Sequence, residues 1–476
     1  MNLIKSFIKF SFGSWIAAGI SFFTTPIITL LIVPEEFARA TMFAFSSAII
    51  LQIVLAGGDQ SFMRFFYEKD TKDRSNLLWN TLLPSFFIWA ILSVAILCFW
   101  QPLSQWLIKD NQFLIAVLLS TYLLLALLDR YAYLIIRMQQ KGTLFSLLRI
   151  LASVLNAVFI ILYCKYVSKS FYAIISASLL SFVVTITISV IIERRFWFSK
   201  ITISKREITQ LLKYGVPLAP ACLMSILFES MDKVFLRSYV EFNEIGLYSA
   251  AYKIVALLAI VQMGFSMFWT PVSFEHYEKN PEDKSLYEKT FRYLLVGLTI
   301  LGLLLIGCKD LIILIFAKNY RDAASLMPFL IFIPVLYTLT EVTCLGIYFK
   351  KKSMWQLVVF GILLVLSLSF NFILVPLLGT KGAALVIALS YIAYFFLRTY
   401  ASIRLYPMNF NLGKTALTFL LLFIVAGVNT FVADKIIGIS CAAITLLIYS
   451  LLHISTIKDM FVYFKNMVIG QKFGGV

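Results

Sequence analysis

Histidine is nearly missing from this 476-residue chain: His276 and His453 are the only two. A histidine-based metal site or a catalytic triad therefore has almost nothing to be built from. Charge is scarce as well, at 14% of residues, where an ordinary soluble domain carries about 25%. The six cysteines, Cys98, Cys164, Cys222, Cys308, Cys344 and Cys441, are scattered in or beside apolar runs with no CxxC among them. Such cysteines behave as small buried hydrophobes. No HExxH and no nucleophile elbow is present. Gly413-Lys414-Thr415 resembles the end of a phosphate loop, but Met408 stands where the first glycine of GxxxxGK[ST] belongs. These gaps argue against metal hydrolysis, acyl transfer and ATP-driven pumping.

Hydrophobic residues make up 61% of the chain and the mean hydropathy is +0.90 over the whole length. Nearly all of it must sit in lipid, where only helices and closed barrels satisfy every backbone polar group. A transmembrane barrel needs alternating segments of about 10 residues, whereas the apolar runs here are continuous over about 20, the length of a spanning helix. The expected fold class is an all-α integral membrane protein with about 14 transmembrane helices, near residues 9–33, 37–57, 77–100, 112–136, 142–164, 170–192, 213–238, 245–271, 291–308, 323–348, 354–377, 382–403, 414–432 and 436–455. The first run is far longer than the apolar core of a cleavable leader and is read as a span.

The net charge of +17 has its explanation in the same topology. With the N-terminus inside, 27 of the 41 Lys and Arg fall on cytoplasmic segments, 10 on outer segments and span ends, and 4 within spans. That loop-by-loop alternation is the positive-inside rule, and it predicts two cytoplasmic termini. No nucleic-acid motif competes for the charge. The longest polar link, from Glu193 to Lys213, mixes bases with Phe196, Trp197 and Phe198, a composition that suits the cytoplasmic membrane surface. The stretches on either side of it look related. Lys9-Phe10 matches Lys213-Tyr214, Val33 onward matches Val240 onward, and Phe66-Tyr67-Glu68-Lys69 matches His276-Tyr277-Glu278-Lys279, at offsets of 204, 207 and 210. The expected organisation is a six-helix bundle over 1–192, an amphipathic linker over 193–212, a second six-helix bundle over 213–403, and two additional helices with a tail over 404–476. Both copies start inside, as in a parallel repeat about an axis along the membrane normal.

An ionisable group at the centre of a bilayer costs roughly 2.5–3.5 kcal/mol on insertion scales, so those retained in spans are candidates for function. Glu229, Asp232, Lys233 and Arg237 share one face of the seventh span with Ser225. Glu229 and Lys233 form an i,i+4 pair in the favourable order. This face reads either as a neutralised structural pair with Arg237 snorkelling, or as the polar wall of a cavity. Arg149, Ser153, Asn156 and Tyr163 share a face of the fifth span. Arg149 has no acid near it in sequence, and a guanidinium matches phosphate with two parallel hydrogen bonds, so it leads the anion-gripping candidates. Asp129 and Arg130, adjacent in the fourth span, can also neutralise each other. Lys253 shares a face with Ser249, and Glu341 with Tyr337 and Thr338. A carboxylate such as Glu341 suits a proton or sodium site, or a pair with Lys253 or Arg130. Ser11, Ser14, Ala18, Ser21 and Thr25 run down one side of the first span, as close helix packing or as a cavity wall.

With these residues in view, the chain resembles the O-antigen and polysaccharide repeat-unit flippases of the multidrug/oligosaccharidyl-lipid/polysaccharide exporter superfamily. The resemblance covers most of residues 1–403. It rests on Gly58-Asp59-Gln60-Ser61-Phe62-Met63-Arg64-Phe65-Phe66-Tyr67-Glu68, Tyr214-Gly215-Val216-Pro217, Asp232-Lys233, Glu244-Ile245-Gly246-Leu247-Tyr248-Ser249 with Tyr252-Lys253, and Gly379-Thr380-Lys381-Gly382-Ala383-Ala384. Lys233 stands where the family usually has Arg, which keeps the charge and loses the fork. The resemblance implies two pseudo-symmetric six-helix bundles around a central cationic cavity, in a non-enzymatic transporter of the bacterial inner membrane. It would move an undecaprenyl-pyrophosphate-linked oligosaccharide from the cytoplasmic to the periplasmic leaflet by alternating access. No cofactor is implied beyond coupling to a proton or sodium gradient, and the implied partners are membrane lipids, a polysaccharide polymerase and a chain-length regulator. Arg149, Lys253, Arg130, Lys233 and Arg64 are the residues assigned to the anionic headgroup, with Glu341, Glu229 and Asp232 as ion-coupling candidates. A lipid II flippase and a cation-coupled multidrug exporter of the same superfamily are the alternatives.

Overall fold

The computed structural model describes residues 3–70, 73–199, 201–256, 258–350, 352 and 354–460. Lys72, Lys200, Lys351, Lys465 and Lys472 of the loop bases, and the side chains of Ser11 and Ser14, lie outside the described residues. The described elements are all helical, in the order α1 (Leu3–Leu31), α2 (Pro34–Leu55), α3 (Gly58–Phe65), α4 (Arg74–Cys98), α5 (Trp100–Ile108), α6 (Phe113–Met138), α7 (Gly142–Tyr166), α8 (Tyr172–Ile192), α9 (Arg194–Trp197), α10 (Lys205–Gly215), α11 (Ala219–Tyr239) and α12 (Phe242–Val255). There follow α13 (Leu258–Lys279), α14 (Ser285–Gly307), α15 (Lys309–Ile312), α16 (Met327–Leu330), α17 (Phe332–Thr343), α18 (Leu345–Phe349), α19 (Met354–Leu405), α20 (Leu412–Phe431) and α21 (Lys435–Leu452). Among the described residues, eleven helical stretches are long and apolar enough to cross a membrane, against the fourteen expected. One of them, α19, counts once although Gly379 breaks it with φ 56° and ψ −133°, a backbone conformation open to glycine. The chain is a multi-pass, all-helical membrane protein.

Two compact units form, Met1–Ser249 and Ala250–Val476. In the first, α1 lies close against α7. The Gly13 N–H donates to Ser146 Oγ at 3.2 Å, and a Cβ on Gly13 would stand 2.3 Å from Ser146 Cα. Ser153 Oγ donates to the Ala17 carbonyl at 3.0 Å, and Asn156 Nδ2 donates to Ser178 Oγ at 3.2 Å. Small and polar residues on these helices serve helix-to-helix packing. Of the polar face expected on the fifth span, Ser153 meets α1 and Asn156 meets α8.

The motifs behind the resemblance meet at backbone crossings in this unit. A Cβ on Gly57 would lie 2.0 Å from the Gly215 carbonyl oxygen, and one on Gly246 would lie 1.9 Å from that of Pro34. Ser61 Oγ donates to the Leu211 carbonyl at 2.7 Å. The polar link is folded onto α3 and α4. Ser204 caps α10 through the Glu207 N–H, a Ser-x-x-Glu start. Glu207 also receives Lys69 at 2.9 Å and Asn80 Nδ2 at 2.9 Å. Its aromatics divide: Trp197 is buried in the core with Leu77 and Leu78, while Phe198 is exposed.

In the second unit α17 packs against α13, α14 and α19. Nine of its twelve residues are buried. Thr343 and Thr399 share a hydroxyl hydrogen bond at 2.6 Å, and the Gly346 N–H donates to Ser402 Oγ at 2.9 Å, tying α17 and α18 to the second half of α19.

Candidate functional site

A cavity of about 270 Å³ opens in the first unit between α2, α6, α7 and α8. Ala44, Ser47, Ala48 and Leu51 form its α2 wall, the first three with small side chains that leave space open. Along α6 come Tyr122, Ala126, Asp129, Arg130, Tyr133 and Arg137, a stripe at helical spacing. Phe145 and Arg149 enter from α7 and Phe182 from α8. Three guanidiniums thus face the same space as one carboxylate.

The charges are arranged differently from the pairing expected along α6. Arg130 Nη2 meets Asp59 Oδ2 at 2.8 Å, and Asp59, in the first turn of α3, is buried. Asp129 accepts a hydrogen bond from Thr185 Oγ1 at 2.9 Å. Adjacent in sequence, Asp129 and Arg130 therefore have separate partners, which corrects the reading that they neutralise each other. Arg149 has its guanidinium 4.4 Å from the Tyr133 ring centroid and 5.5 Å from that of Phe145. These rings hold the cation in place without consuming its hydrogen-bond donors. Its charge reaches Asp129, yet among the described residues it forms no ion pair. Arg137 is exposed at the cavity edge and has no ion pair among the described residues. Tyr133 Oη is buried with no hydrogen-bond partner among the described residues. Setting Asp129 and Asp59 against the three arginines leaves one positive charge over. A site with forked donors, an unused hydroxyl and aromatic walls is suited to a phosphorylated ligand.

The remaining sequence candidates are dispersed. Arg64 pairs with Glu68 at 2.5 Å on an exposed face of α3. On α11, Asp232 is buried, accepts from Tyr248 Oη at 2.5 Å, and has Lys233 Nζ 3.7 Å away. Lys233 thus has its ion pair with Asp232, where the helical spacing pointed to Glu229; its charge still acts on the exposed Glu229. Lys253 is exposed on the part of α12 that belongs to the second unit. Glu341 is half-buried on α17, where the nearby charge is Arg398. Three contributors escaped the sequence reading. Arg137 and Arg398 lie near span ends and count among the 27 cytoplasmic bases by position, but Arg137 lines the cavity and Arg398 is buried in α19. Asp59 was part of a motif with no role, and its burial inside an amphipathic short helix could have marked it as a partner.

The fold is that of the multidrug/oligosaccharidyl-lipid/polysaccharide exporters. A lipid II flippase, MurJ, in an inward closed conformation superposes with a TM-score of 0.70 at 15% identity, covering 94% of this chain and 100% of that one. An inward-facing multidrug resistance MATE family transporter of the MOP superfamily gives 0.62 at 18% identity, over 83% and 95%. A MATE transporter of Vibrio cholerae gives 0.56 at 14%, over 84% and 96%. No curated protein sequence matches the chain. The family model of polysaccharide biosynthesis proteins matches residues 3–277, more than half the length, and the chain belongs to that family.

Proposed function

We propose that this protein is a flippase for a lipid-linked, pyrophosphate-bearing oligosaccharide, carrying it from the cytoplasmic to the periplasmic leaflet of a bacterial inner membrane by alternating access. The observation that carries the reading is the cavity where Arg130, Arg137 and Arg149 converge on one open space with Asp129. A cation-binding exporter would want the opposite sign there. Arg149 is the main grip on the phosphates, Arg137 stands at the mouth, and Arg130 is positioned by Asp59. Family membership in polysaccharide biosynthesis supports a glycan as the headgroup. Lys253 supplies a further cation in the second unit. The protein acts as a transporter and makes no covalent change to its substrate.

Neutralising Arg149 and Lys253 together by substitution with glutamine should abolish surface polysaccharide in the host while the protein remains in the membrane. Lipid-linked repeat unit should then accumulate on the inner leaflet. Unchanged export with both residues neutralised would sink the proposal. The likeness to a lipid II flippase gives one second reading. It predicts that the chain rescues a lipid II transport defect, and a failure to rescue removes it.

A further inference from the structure

The second unit contains a polar face that the phosphate grip does not use. On α17 the buried residues are Phe332, Pro334, Val335, Leu336, Thr338, Leu339, Thr340, Val342 and Thr343. What they leave open is one stripe at a four-residue spacing: Ile333, Tyr337 and Glu341, continued on α18 by Tyr348, 39% exposed. A stripe holding two tyrosines and a carboxylate does not suit hydrocarbon, where ionisable groups are expensive.

Behind the stripe lies an organised set of donors. Arg398 is 4% exposed, and its guanidinium donates to Tyr348 Oη at 3.0 Å and to Tyr394 Oη. Arg398 Nε is buried without a partner among the described residues. Tyr337 stacks on Tyr394 with ring centroids 6.0 Å apart. The Glu341 carboxylate makes no hydrogen bond or ion pair among the described residues, and the charge acting on it is that of Arg398. Aromatic faces beside a carboxylate and hydroxyls aligned by a buried guanidinium match a carbohydrate. The rings accept the apolar C–H face of a sugar, and the polar groups exchange hydrogen bonds with its hydroxyls.

We infer that Tyr337, Glu341 and Tyr348 form a sugar-recognition face, with Arg398 as its positioning residue. This rests on reading the chain as a transporter of lipid-linked glycan, and it assigns discrimination of the sugar to the second unit.

The test is binding of two probes to the full chain in nanodiscs: undecaprenyl pyrophosphate, and the lipid-linked glycan extracted from the protein's own host. The wild type should hold the glycan-bearing probe at least about 10-fold more tightly, roughly 1.4 kcal/mol. Tyr337→Ala and the isosteric Glu341→Gln should each bring that ratio close to one, and Tyr337→Phe should largely retain it. Arg149→Gln should weaken both probes by the same factor. If Tyr337→Ala misfolds, Glu341→Gln carries the test, since it changes charge and not volume. An unchanged ratio in Glu341→Gln overturns the inference. So does an unchanged ratio accompanied by altered sodium or pH dependence, which would make the face a cation site. Failure of the wild type to bind either probe overturns the flippase reading instead.

Discussion

Arg149 in the first unit and Arg398 in the second have opposite surroundings. Arg149 is exposed to a cavity, lies over two aromatic rings and has no ion pair among the described residues. Arg398 is buried and directs its donors to Tyr348 and Tyr394. A guanidinium with unused donors on an open face can take a ligand. One enclosed by hydroxyls orients those hydroxyls for something else. On the function proposed above, the difference separates two kinds of recognition, phosphate in the first unit and sugar in the second, and that contrast can be broken at several points.

The largest effect is expected at Arg149. Arg149→Glu places a negative charge where a pyrophosphate would sit and should lower transport of a pyrophosphate-bearing lipid by roughly 100-fold or more, about 2.7 kcal/mol. Arg149→Lys keeps the charge without the fork and should fall between that variant and the wild type. Flux into proteoliposomes measures both. Equal activity in all three would remove the phosphate role from the first unit.

Stability should separate the same two arginines in the reverse order. Arg398→Leu leaves two tyrosine hydroxyls without their donor and should destabilise the purified protein by about 1–3 kcal/mol. Arg149→Leu, at an exposed position, should stay within about 0.5 kcal/mol. Thermal unfolding in detergent reads the difference, and matching losses would erase the contrast.

A smaller stability effect belongs to Arg130. Its removal leaves Asp59 buried without its cation. Because Arg130 is itself about half exposed, with 47% of its side chain accessible, Arg130→Ala should cost only about 1–2 kcal/mol. The Asp59→Asn/Arg130→Ala double variant should recover most of it. A double variant no more stable than Arg130→Ala would show that the pair does not position Arg130.

The fold was legible in the sequence because long apolar runs leave the backbone no alternative to helices. Arg149 was legible for a related reason: an arginine on an apolar helix with no acid nearby must be accommodated by something. Partner choice was not legible. Asp59 and Arg130 lie 71 positions apart and meet only when α3 folds beside α6. The spacing of Glu229 and Lys233 suggested a pair, whereas Lys233 has its neighbour Asp232 within ion-pair distance. Arg398 was hidden by the same pattern that located the loops. A base near a span end looks cytoplasmic until its helix proves long enough to bury it. The glycine motifs mark backbone crossings such as Gly57 with Gly215, a property of packing that no local pattern states.

The smallest effect serves as a control on the comparison. Asp283, in the turn between α13 and α14, accepts the Ser285 N–H at 2.9 Å and lies 3.2 Å from His276 Nε2. The Ser285 hydrogen bonds, side chain first and backbone second, hold its carboxyl below the usual aspartate range, with a lesser pull from His276. A depressed carboxylate pKa contributes stability above the unfolded value of about 3.9 and loses it as pH falls through the folded value. Asp283→Asn should therefore be slightly less stable than the wild type at neutral pH, by less than about 0.5 kcal/mol for so exposed a group. That gap should close in strongly acidic buffer, because the wild-type carboxyl is then protonated as well. Thermal unfolding of the two proteins across pH tests the sign, and a gap that is constant with pH would show that the carboxylate charge contributes nothing. Neither binding of undecaprenyl pyrophosphate nor preference for the glycan-bearing lipid should change in this variant. If either does, recognition extends to the turn at Asp283, and the assignment of phosphate to the Arg149 cavity and sugar to the Tyr337 stripe is too narrow.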